Sequence, residues 1–368
     1  MIYLDYQATT PLAPEARAAM LPWLDKFGNP HSPHRLGREA AAAIEVAARQ
    51  VSLALGDAEG GGRTIFTSGA TEAANWALHG ALAGGRRKIV TIATEHACVL
   101  DTAAWLSRHG AEVVTLPVQP NGLVDLAAAA AAIDDRTALV AAMLVNNEIG
   151  VIQPIEALVE MARQAGALTF CDAVQGFGRV DLPGRCDLLA VSAHKIHGPK
   201  GIGALWLRNG LDWPAFIHGG GQQQGLRSGT LSPMLCAGFG AAAALAQQTF
   251  EEDRLHINAI SHLADNLFED WTVNGDQERR YPGNRNLRRD GIDAARLISE
   301  VRDVAFSAGS ACASGSGRSS HVLRALGLSE TQARGSIRLG FGRYTTQEEL
   351  REAACLINQA AARQLEWA

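Results

Sequence analysis

Lysine is scarce in this chain. Among 33 basic residues there are only four lysines: Lys26, Lys88, Lys195 and Lys200. Arginine therefore carries most of the positive charge, and a retained lysine can have a role that arginine cannot fill. A partly desolvated lysine can lose its proton and form a Schiff base, whereas arginine stays charged. Lys195 follows the apolar run 187–191 and precedes the turn 198–201, which favours a reactive group at a strand end over a surface lysine.

The chain also lacks the features of several other protein classes. It has no apolar run approaching the roughly 18 residues that a membrane span needs, and residues 1–5 lack a basic, apolar leader. Its formal net charge of -5 offers no basic surface for nucleic acid or for a membrane. We therefore expect a cytoplasmic protein that binds neither nucleic acid nor membranes.

The chain has six cysteines but no Cys-x-x-Cys pair, so we predict reduced thiols. His31 and His34 lie three residues apart without acidic or cysteine ligands beside them, so we predict no metal site. Cys312 differs from the other cysteines because it lies in a stretch of serine, glycine and alanine, residues 307–317, that we expect to be a mobile loop. An exposed thiol in such a loop is a disadvantage unless the protein uses it in a reaction. We therefore interpret Cys312 as a nucleophile. The others are interpreted as small buried or incidental thiols: Cys98, Cys171, Cys186, Cys236 and Cys355.

Short β-branched or apolar runs alternate with alanine-rich helical stretches between residues 64 and 202. This pattern is typical of an α/β fold with a largely parallel sheet wrapped by helices. We predict strands over 64–67, 88–93, 112–116, 138–145, 167–171, 187–191 and 202–207. Helices are predicted over 38–55, 236–248, a following stretch through 270, and 346–365. A nucleotide-binding fold is the structural alternative to this interpretation. Its glycine motifs are absent from the sequence.

Polar side chains follow five of these strands. Because the carboxyl ends of parallel strands meet at one edge of a sheet, we expect those side chains to line one cleft. They are Thr71, His96, Asn147, Asp172, Gln175, Ser192, His194 and Lys195.

The chemistry of this set is that of a pyridoxal phosphate site. The small-residue turn 68–71 opens a helix, where backbone N–H groups and a hydroxyl can hold a phosphate. Asp172 can keep a pyridine nitrogen protonated, which makes the ring an electron sink. His96 can stack on a flat ring and move protons. Together with Lys195, these groups meet the requirements of that cofactor.

Several motifs recur in order from one end of the chain to the other. They are Ser68-Gly69-Ala70-Thr71-Glu72, Thr94-Glu95-His96, Asn146-Asn147-Glu148-Ile149-Gly150, Asp172-Ala173-Val174-Gln175, Ser192-Ala193-His194-Lys195, Arg227-Ser228-Gly229-Thr230, Ser307 to Cys312 and Ser336-Ile337-Arg338. With them the chain resembles the class V aminotransferase-like, fold-type-I pyridoxal phosphate enzymes, and most of all the NifS/IscS-type cysteine desulfurases.

The resemblance implies a role for each matching residue. Lys195 would be the Schiff-base lysine, Asp172 the partner of the pyridine nitrogen and Gln175 the partner of the ring oxygen, with His96 stacked on the ring. Asn147 and Arg338 would hold the substrate carboxylate. The cofactor phosphate would be bound by Thr71, Ser192 and His194, joined by Thr230 from a second subunit of a homodimer.

The same resemblance implies a large cofactor domain over residues 15–250 and a smaller α+β domain over 1–14 and 251–368. The implied reaction takes sulfur from L-cysteine, leaves L-alanine and forms a persulfide on Cys312. The persulfide sulfur would then pass to an acceptor protein that serves iron–sulfur cluster assembly or the synthesis of thio-cofactors or thiolated RNA. The alternatives are a selenocysteine lyase, or another class V enzyme such as a transaminase, which would not need Cys312. A non-catalytic scaffold would need neither Lys195 nor Asp172.

Overall fold

The apolar runs of the sequence form short strands in the computed structural model, which describes residues 1–309 and 320–366. Within those residues the strands are β1 (Ile2–Tyr3), β2 (Gly62–Thr67), β3 (Lys88–Ile92), β4 (Glu112–Leu116), β5 (Thr137–Met143), β6 (Leu168–Asp172), β7 (Leu188–Ser192), β8 (Gly203–Arg208), β9 (Thr272–Val273), β10 (Asn284–Arg288), β11 (Val304–Ala305), β12 (Ser307–Ala308) and β13 (Ser336–Gly340). The seven predicted strands are confirmed as β2 to β8, with their ends within two residues of the prediction.

Alanine-rich segments form most of the helices between these strands. They are α1 (Pro14–Met20), α2 (Arg35–Ala54), α3 (Ala70–Ala81), α4 (Ala97–Arg108), α5 (Leu126–Ala132), α6 (Ile155–Gln164), α7 (Pro233–Gln248), α8 (Phe250–Leu267), α9 (Ala294–Glu300), α10 (His321–Ala325), α11 (Glu330–Arg334) and α12 (Gln347–Glu366). The predicted long helices correspond to α2, α7, α8 and α12. In the part of the chain that the structure describes, no helix combines the length and the apolar character needed to cross a bilayer.

The main sheet has seven strands in the order β2-β8-β7-β6-β5-β3-β4. The strands from β7 to β4 run parallel to their neighbours, as predicted. Strand β8 instead runs antiparallel to both β7 and β2. The connection between β7 and β8 is short, and a parallel pair needs a crossover of a dozen residues or more. The prediction of a largely parallel sheet therefore holds for five of its strands.

Both faces of this sheet are covered by helices, so its strands are apolar on both sides. Successive side chains of a strand point to opposite faces. Ile65 packs with Trp76 and the other apolar residues of α3 and α4. Its neighbour Phe66 packs on the other face with Phe239 of α7. The N-terminus of α3 therefore lies at the end of β2, and the first residue of β8 separates it from the end of β7.

The two ends of the chain share a second apolar core. Strand β1 pairs with β11, and β9, β10, β12 and β13 form a four-stranded antiparallel sheet. Leu4 packs into one cluster with Ile337 and with Ile357 of α12. The division at residues 14 and 250 stays a prediction, but this core shows how an N-terminal segment can join a C-terminal unit.

Gly203, the first residue of β8, lies directly under the turn that precedes α3. A Cβ atom at this position would lie 2.6 Å from the carbonyl oxygen of Val191 and 2.8 Å from the Cα atom of Gly69. Because both neighbours are backbone, neither can move cheaply. We expect Gly203→Ala to lower the free energy of unfolding by about 1–3 kcal/mol in urea titrations.

Gly84→Ala is the matched control, since an added Cβ there meets nothing within 4 Å. The control should change the unfolding free energy by less than about 0.5 kcal/mol. Equal unfolding midpoints for Gly203→Ala and wild type would contradict the close approach of β8 to Gly69.

Candidate functional site

The carboxyl ends of the parallel strands open into a cavity of about 620 Å³. Nine of the predicted site residues line it: Thr71, His96, Asn147, Asp172, Gln175, Ser192, His194, Lys195 and Arg338. Thr230 is exposed and does not line this cavity. Cys312 lies outside the described residues. The structure therefore brings together the groups from all five predicted strand ends, and adds Arg338 from β13.

Lys195 ends a single 3-10 turn that follows β7 directly. Its Nζ atom donates hydrogen bonds to the carbonyl oxygens of Gln7 and Ala8, the latter at 2.8 Å. Burial lowers the pKa of Lys195 to about 7, and the charges of Arg179 and Arg338 act in the same direction. Near neutral pH a large share of these side chains is therefore a free amine, which is the form that attacks a carbonyl carbon.

Asp172 is the last residue of β6, and its carboxylate accepts a hydrogen bond from the backbone N–H of Val174 at 3.0 Å. Burial raises the pKa of Asp172, while the nearby His96 and Lys195 oppose that shift. A cationic ring nitrogen bound by this carboxyl would favour its ionised form. The position suits a group that must stabilise positive charge on a ligand.

The turn between β2 and α3 forms one end of the cavity. Glu72 accepts a hydrogen bond from the backbone N–H of Ser68 at 2.8 Å and pairs with Arg227, also at 2.8 Å, which fixes the first turn of the helix. The first amides of an α-helix have no partner within the helix. A Cβ at Gly69 would meet nothing within 4 Å, so there is open space beside these amides. Together with the Thr71 hydroxyl, they fit a phosphate group.

His194 and Ser192 approach this end of the cavity from β7. The Nδ1 atom of His194 lies 3.1 Å from the hydroxyl oxygen of Thr9. Burial, with the charges of Lys195 and Lys200, lowers the pKa of His194 to about 4. The ring is therefore neutral near pH 7, and it can give an anion an N–H hydrogen bond without adding charge.

Gln175 and its neighbours hold the wall of the cavity beside Lys195. The Gln175 amide donates to the carbonyl oxygen of Gln7 at 2.9 Å and accepts from Arg179 at 2.7 Å. Arg179 also donates to the carbonyl oxygen of Lys195. These bonds fix the orientation of the amide, whose second hydrogen remains for a ligand.

Arg338 lies on the opposite side, in the middle of β13, and only 1% of its side chain is exposed. Its Nη2 atom pairs with the Asp5 carboxylate at 2.7 Å, and its Nη1 atom donates to the carbonyl oxygen of Asn147 at 3.0 Å. Its Nε atom has no hydrogen-bond partner within residues 1–309 and 320–366. The guanidinium is held in one orientation and keeps donors for a carboxylate.

His96 caps the N-terminus of α4. Its Nδ1 atom accepts a hydrogen bond from the backbone N–H of Cys98 at 3.2 Å and lies 3.0 Å from the Cys98 sulfur. Burial lowers the pKa of His96 and raises that of Cys98. The cavity thus holds a neutral imidazole next to a protonated thiol.

Sequence reasoning missed several residues of this site. The carbonyl groups of Gln7 and Ala8 hold Lys195, but a backbone carbonyl leaves no mark in a sequence. Asp5 is acidic, as a partner for Arg338 must be, but it lies 333 positions away in the chain. From the sequence, Cys98 is interpreted as a small buried or incidental thiol, whereas in the structure it contacts His96 and lines the cavity.

Comparisons with known proteins agree with this geometry. The family model described as aminotransferase class-V matches residues 2–352. "Cysteine desulfurase IscS" of Rickettsia bellii is 45% identical, over 97% of this chain and 90% of the relative. A solved structure titled "NIFS-like protein" superimposes with a TM-score of 0.91 at 31% identity, covering 98% of this chain and 99% of the other. Another, titled "SspA in complex with cysteine", has a TM-score of 0.81 at 33% identity, covering 94% and 100%.

The acidity of Lys195 can be measured directly. In ligand-free protein, we expect an amine-reactive reagent to modify Lys195 with a half-maximal rate near pH 7, because burial lowers its pKa to about 7. The neutral, reactive form then increases as the pH rises through that value. Peptide mapping by mass spectrometry across a pH series measures the midpoint.

Lys26 provides the internal reference for the reagent, because its side chain is 46% exposed on the surface. A Lys195 midpoint above about 9, near that of lysine in model peptides, would contradict a desolvated amine.

Proposed function

Because the chain belongs to the aminotransferase class-V family and, within it, to the cysteine desulfurases, we propose that this cavity removes sulfur from L-cysteine. The products are L-alanine and a persulfide on Cys312. The observation that carries the proposal is the meeting, in one cavity, of a low-pKa lysine, a buried aspartate and the open N-terminus of α3. Enzymes of this family use pyridoxal phosphate as their cofactor.

The donor set of the cavity fits pyridoxal phosphate. The first amides of α3, with Thr71, Ser192 and His194, would hold its phosphate, and Asp172 would hold its ring nitrogen. Gln175 has an amide hydrogen for the ring oxygen, and His96 lines the same cavity. When bound, this cofactor withdraws electrons from the substrate, which makes the Cα proton and the carbon–sulfur bond labile.

Proton transfer falls to Lys195. Its Nζ atom is held by the carbonyl oxygens of Gln7 and Ala8, which accept hydrogen bonds but do not neutralise charge. With a pKa of about 7, the amine can take the Cα proton of the substrate and return a proton to carbon. Arginine at this position could do neither.

The substrate carboxylate is placed by Arg338 and Asn147. Arg338 is buried and oriented by its bonds to Asp5 and to the backbone of Asn147. A charged donor held in this way binds a carboxylate without first losing side-chain freedom. The amino acid is thereby held by its carboxylate at this end of the cavity.

Sulfur leaves the substrate by attack of the Cys312 thiolate on the substrate sulfur. A sulfur–sulfur bond forms and the carbon–sulfur bond breaks. The electron pair stays with the substrate carbon, which takes up a proton and becomes alanine. The assignment to Cys312 is supported by the other cysteines, since Cys171, Cys186 and Cys236 are buried and burial raises the pKa of Cys98.

The functional unit in this proposal is a homodimer. Thr230 is exposed and lies outside the lining of the cavity, so its proposed bond to the cofactor phosphate requires a second subunit. The persulfide is passed to an acceptor protein of iron–sulfur cluster assembly or of thio-cofactor or RNA synthesis. A cytoplasmic location is in keeping with the five described cysteines, all of which are free thiols.

Sulfide release tests the proposed function. Purified wild type with L-cysteine and a reductant should give equal amounts of alanine and sulfide, and without reductant one added sulfur on the Cys312 peptide. Cys312→Ser should keep the bound cofactor and its visible absorbance but lose sulfide release by at least about two orders of magnitude, since the nucleophile is gone.

Cys355→Ser is the matched control, because Cys355 is exposed on α12 and does not line the cavity. It should release sulfide at the wild-type rate. Wild-type rates in Cys312→Ser, or the extra sulfur on another cysteine, would contradict the assignment, and no sulfide from wild type would overturn the function itself.

Mixed dimers test the shared site. Lys195→Ala and Thr230→Ala chains should each have little activity alone, since each parent dimer has two defective sites. In a mixed dimer, one site combines an intact Lys195 with the partner's intact Thr230, so half of the sites should recover. Tagged, doubly purified mixed dimers assayed for sulfide give the measurement, and failure to recover in verified mixed dimers would exclude the shared site.

A further inference from the structure

The thiol of Cys98 lies inside the cavity, beside the imidazole proposed to act on the ring of the cofactor. Its sulfur is 3.0 Å from Nδ1 of His96, and the backbone N–H of the same residue donates to that nitrogen at 3.2 Å. Thr71, in the first turn of α3, lines the cavity together with both residues. The proposed reaction assigns no role to this thiol.

The backbone bond decides which nitrogen of His96 carries the proton. A backbone N–H can only donate, so Nδ1 must be the unprotonated acceptor, and a neutral ring then has its proton on Nε2. The S–H group of Cys98 is also a donor, so it too favours Nδ1 of His96 as the acceptor.

We infer that Cys98 is a positioning residue, whose thiol adds to the backbone bond in holding His96 in the tautomer that carries its proton on Nε2. This inference rests on the proposed function and deepens it, because it assigns a direction to proton transfer. In its resting state His96 presents an N–H to the cavity, so it gives a hydrogen bond there and cannot take up a proton at that atom. Lys195 is then left as the group that accepts the Cα proton.

The alternative tautomer is disfavoured by the loss of two contacts. A proton on Nδ1 would face the backbone N–H of Cys98, and the helix cap on α4 would be broken. The sulfur alone could accept that proton, but it is a weak acceptor. The substitution Cys98→Ala replaces the CH2SH side chain with a methyl group. It removes one of the two donors and leaves the backbone bond in place.

Other charged groups also act on His96, and the test must separate them from Cys98. They lie on four different segments of the chain: Asp101 in α4, Asp172 at the end of β6, Lys195 after β7 and His321 in α10. None of them changes in a Cys98 variant. A shift in the pH profile of such a variant therefore reports on the thiol.

The experiment compares Cys98→Ala with Cys98→Ser in the intact, cofactor-loaded enzyme. Nitrogen NMR of histidine-labelled protein, with His96→Gln to identify the signal, measures the tautomer directly. We expect wild type and Cys98→Ser to show His96 with its proton on Nε2, and Cys98→Ala to show a larger share with its proton on Nδ1. Since one neutral hydrogen bond is worth roughly a factor of five in an equilibrium, the ratio of the two tautomers should change about fivefold in Cys98→Ala. Because the backbone bond still favours Nε2–H, kcat should fall by no more than about twofold, with KM unchanged and the pH profile of kcat shifted.

Cys355→Ala, on the exposed side of α12, should match wild type in all three measurements. An unchanged His96 tautomer and pH profile in Cys98→Ala would overturn the inference, and so would a Cys98→Ser enzyme as impaired as Cys98→Ala. These outcomes are separate from failure of the proposed function, because the tautomer is read without turnover and sulfide release is read on wild type.

Discussion

The withdrawal of one amine from water is the constraint on which the site depends. Lys195 is surrounded by protein, and its nearest partners are carbonyl oxygens rather than carboxylates. A carboxylate in that place would have stabilised the ammonium form and raised its pKa. Carbonyl oxygens satisfy the hydrogen bonds of the amine in either protonation state, which is why its pKa can lie near 7. The chain at Gln7 and Ala8 must therefore reach the cavity, since these residues supply both carbonyl groups.

The remaining polar groups divide the cavity into two ends for two anionic groups. At one end, a helix N-terminus and the neutral His194 offer N–H donors, which suits a phosphate that keeps its own charge. At the other end, Arg338 offers a full charge already balanced in part by Asp5. Asp172 and His96 lie between them, where a planar ring and its substituents would be handled. The arrangement orients a ligand by charge before any bond changes.

The sequence allowed most of this architecture to be predicted, because strands and strand ends follow from apolar periodicity. The positions of Asp172 and Lys195 needed only the rule that parallel strands end at one edge. The antiparallel direction of β8 was missed, although its short connection to β7 implied it. The carbonyl partners of Lys195 could not be predicted, since they depend on the path of the backbone rather than on side chains. The role of Cys98 next to His96 depends likewise on the geometry of a helix cap.

The ion pair between Asp5 and Arg338 joins residues that are 333 positions apart in the chain. The hydroxyl of Thr10 bonds to the backbone of His194, and Lys195 bonds to Gln7, so Gln7 and Thr10 are synthesised well before their partners. Because chains fold progressively as they leave the ribosome, Asp5 must wait for Arg338, which is synthesised 333 residues later. A chain that ended between residues 195 and 338 would contain Lys195 but lack Arg338. Completion of the cavity is thus coupled to synthesis of the chain through Arg338, and shorter chains lack the charged donor that is proposed to hold the substrate carboxylate.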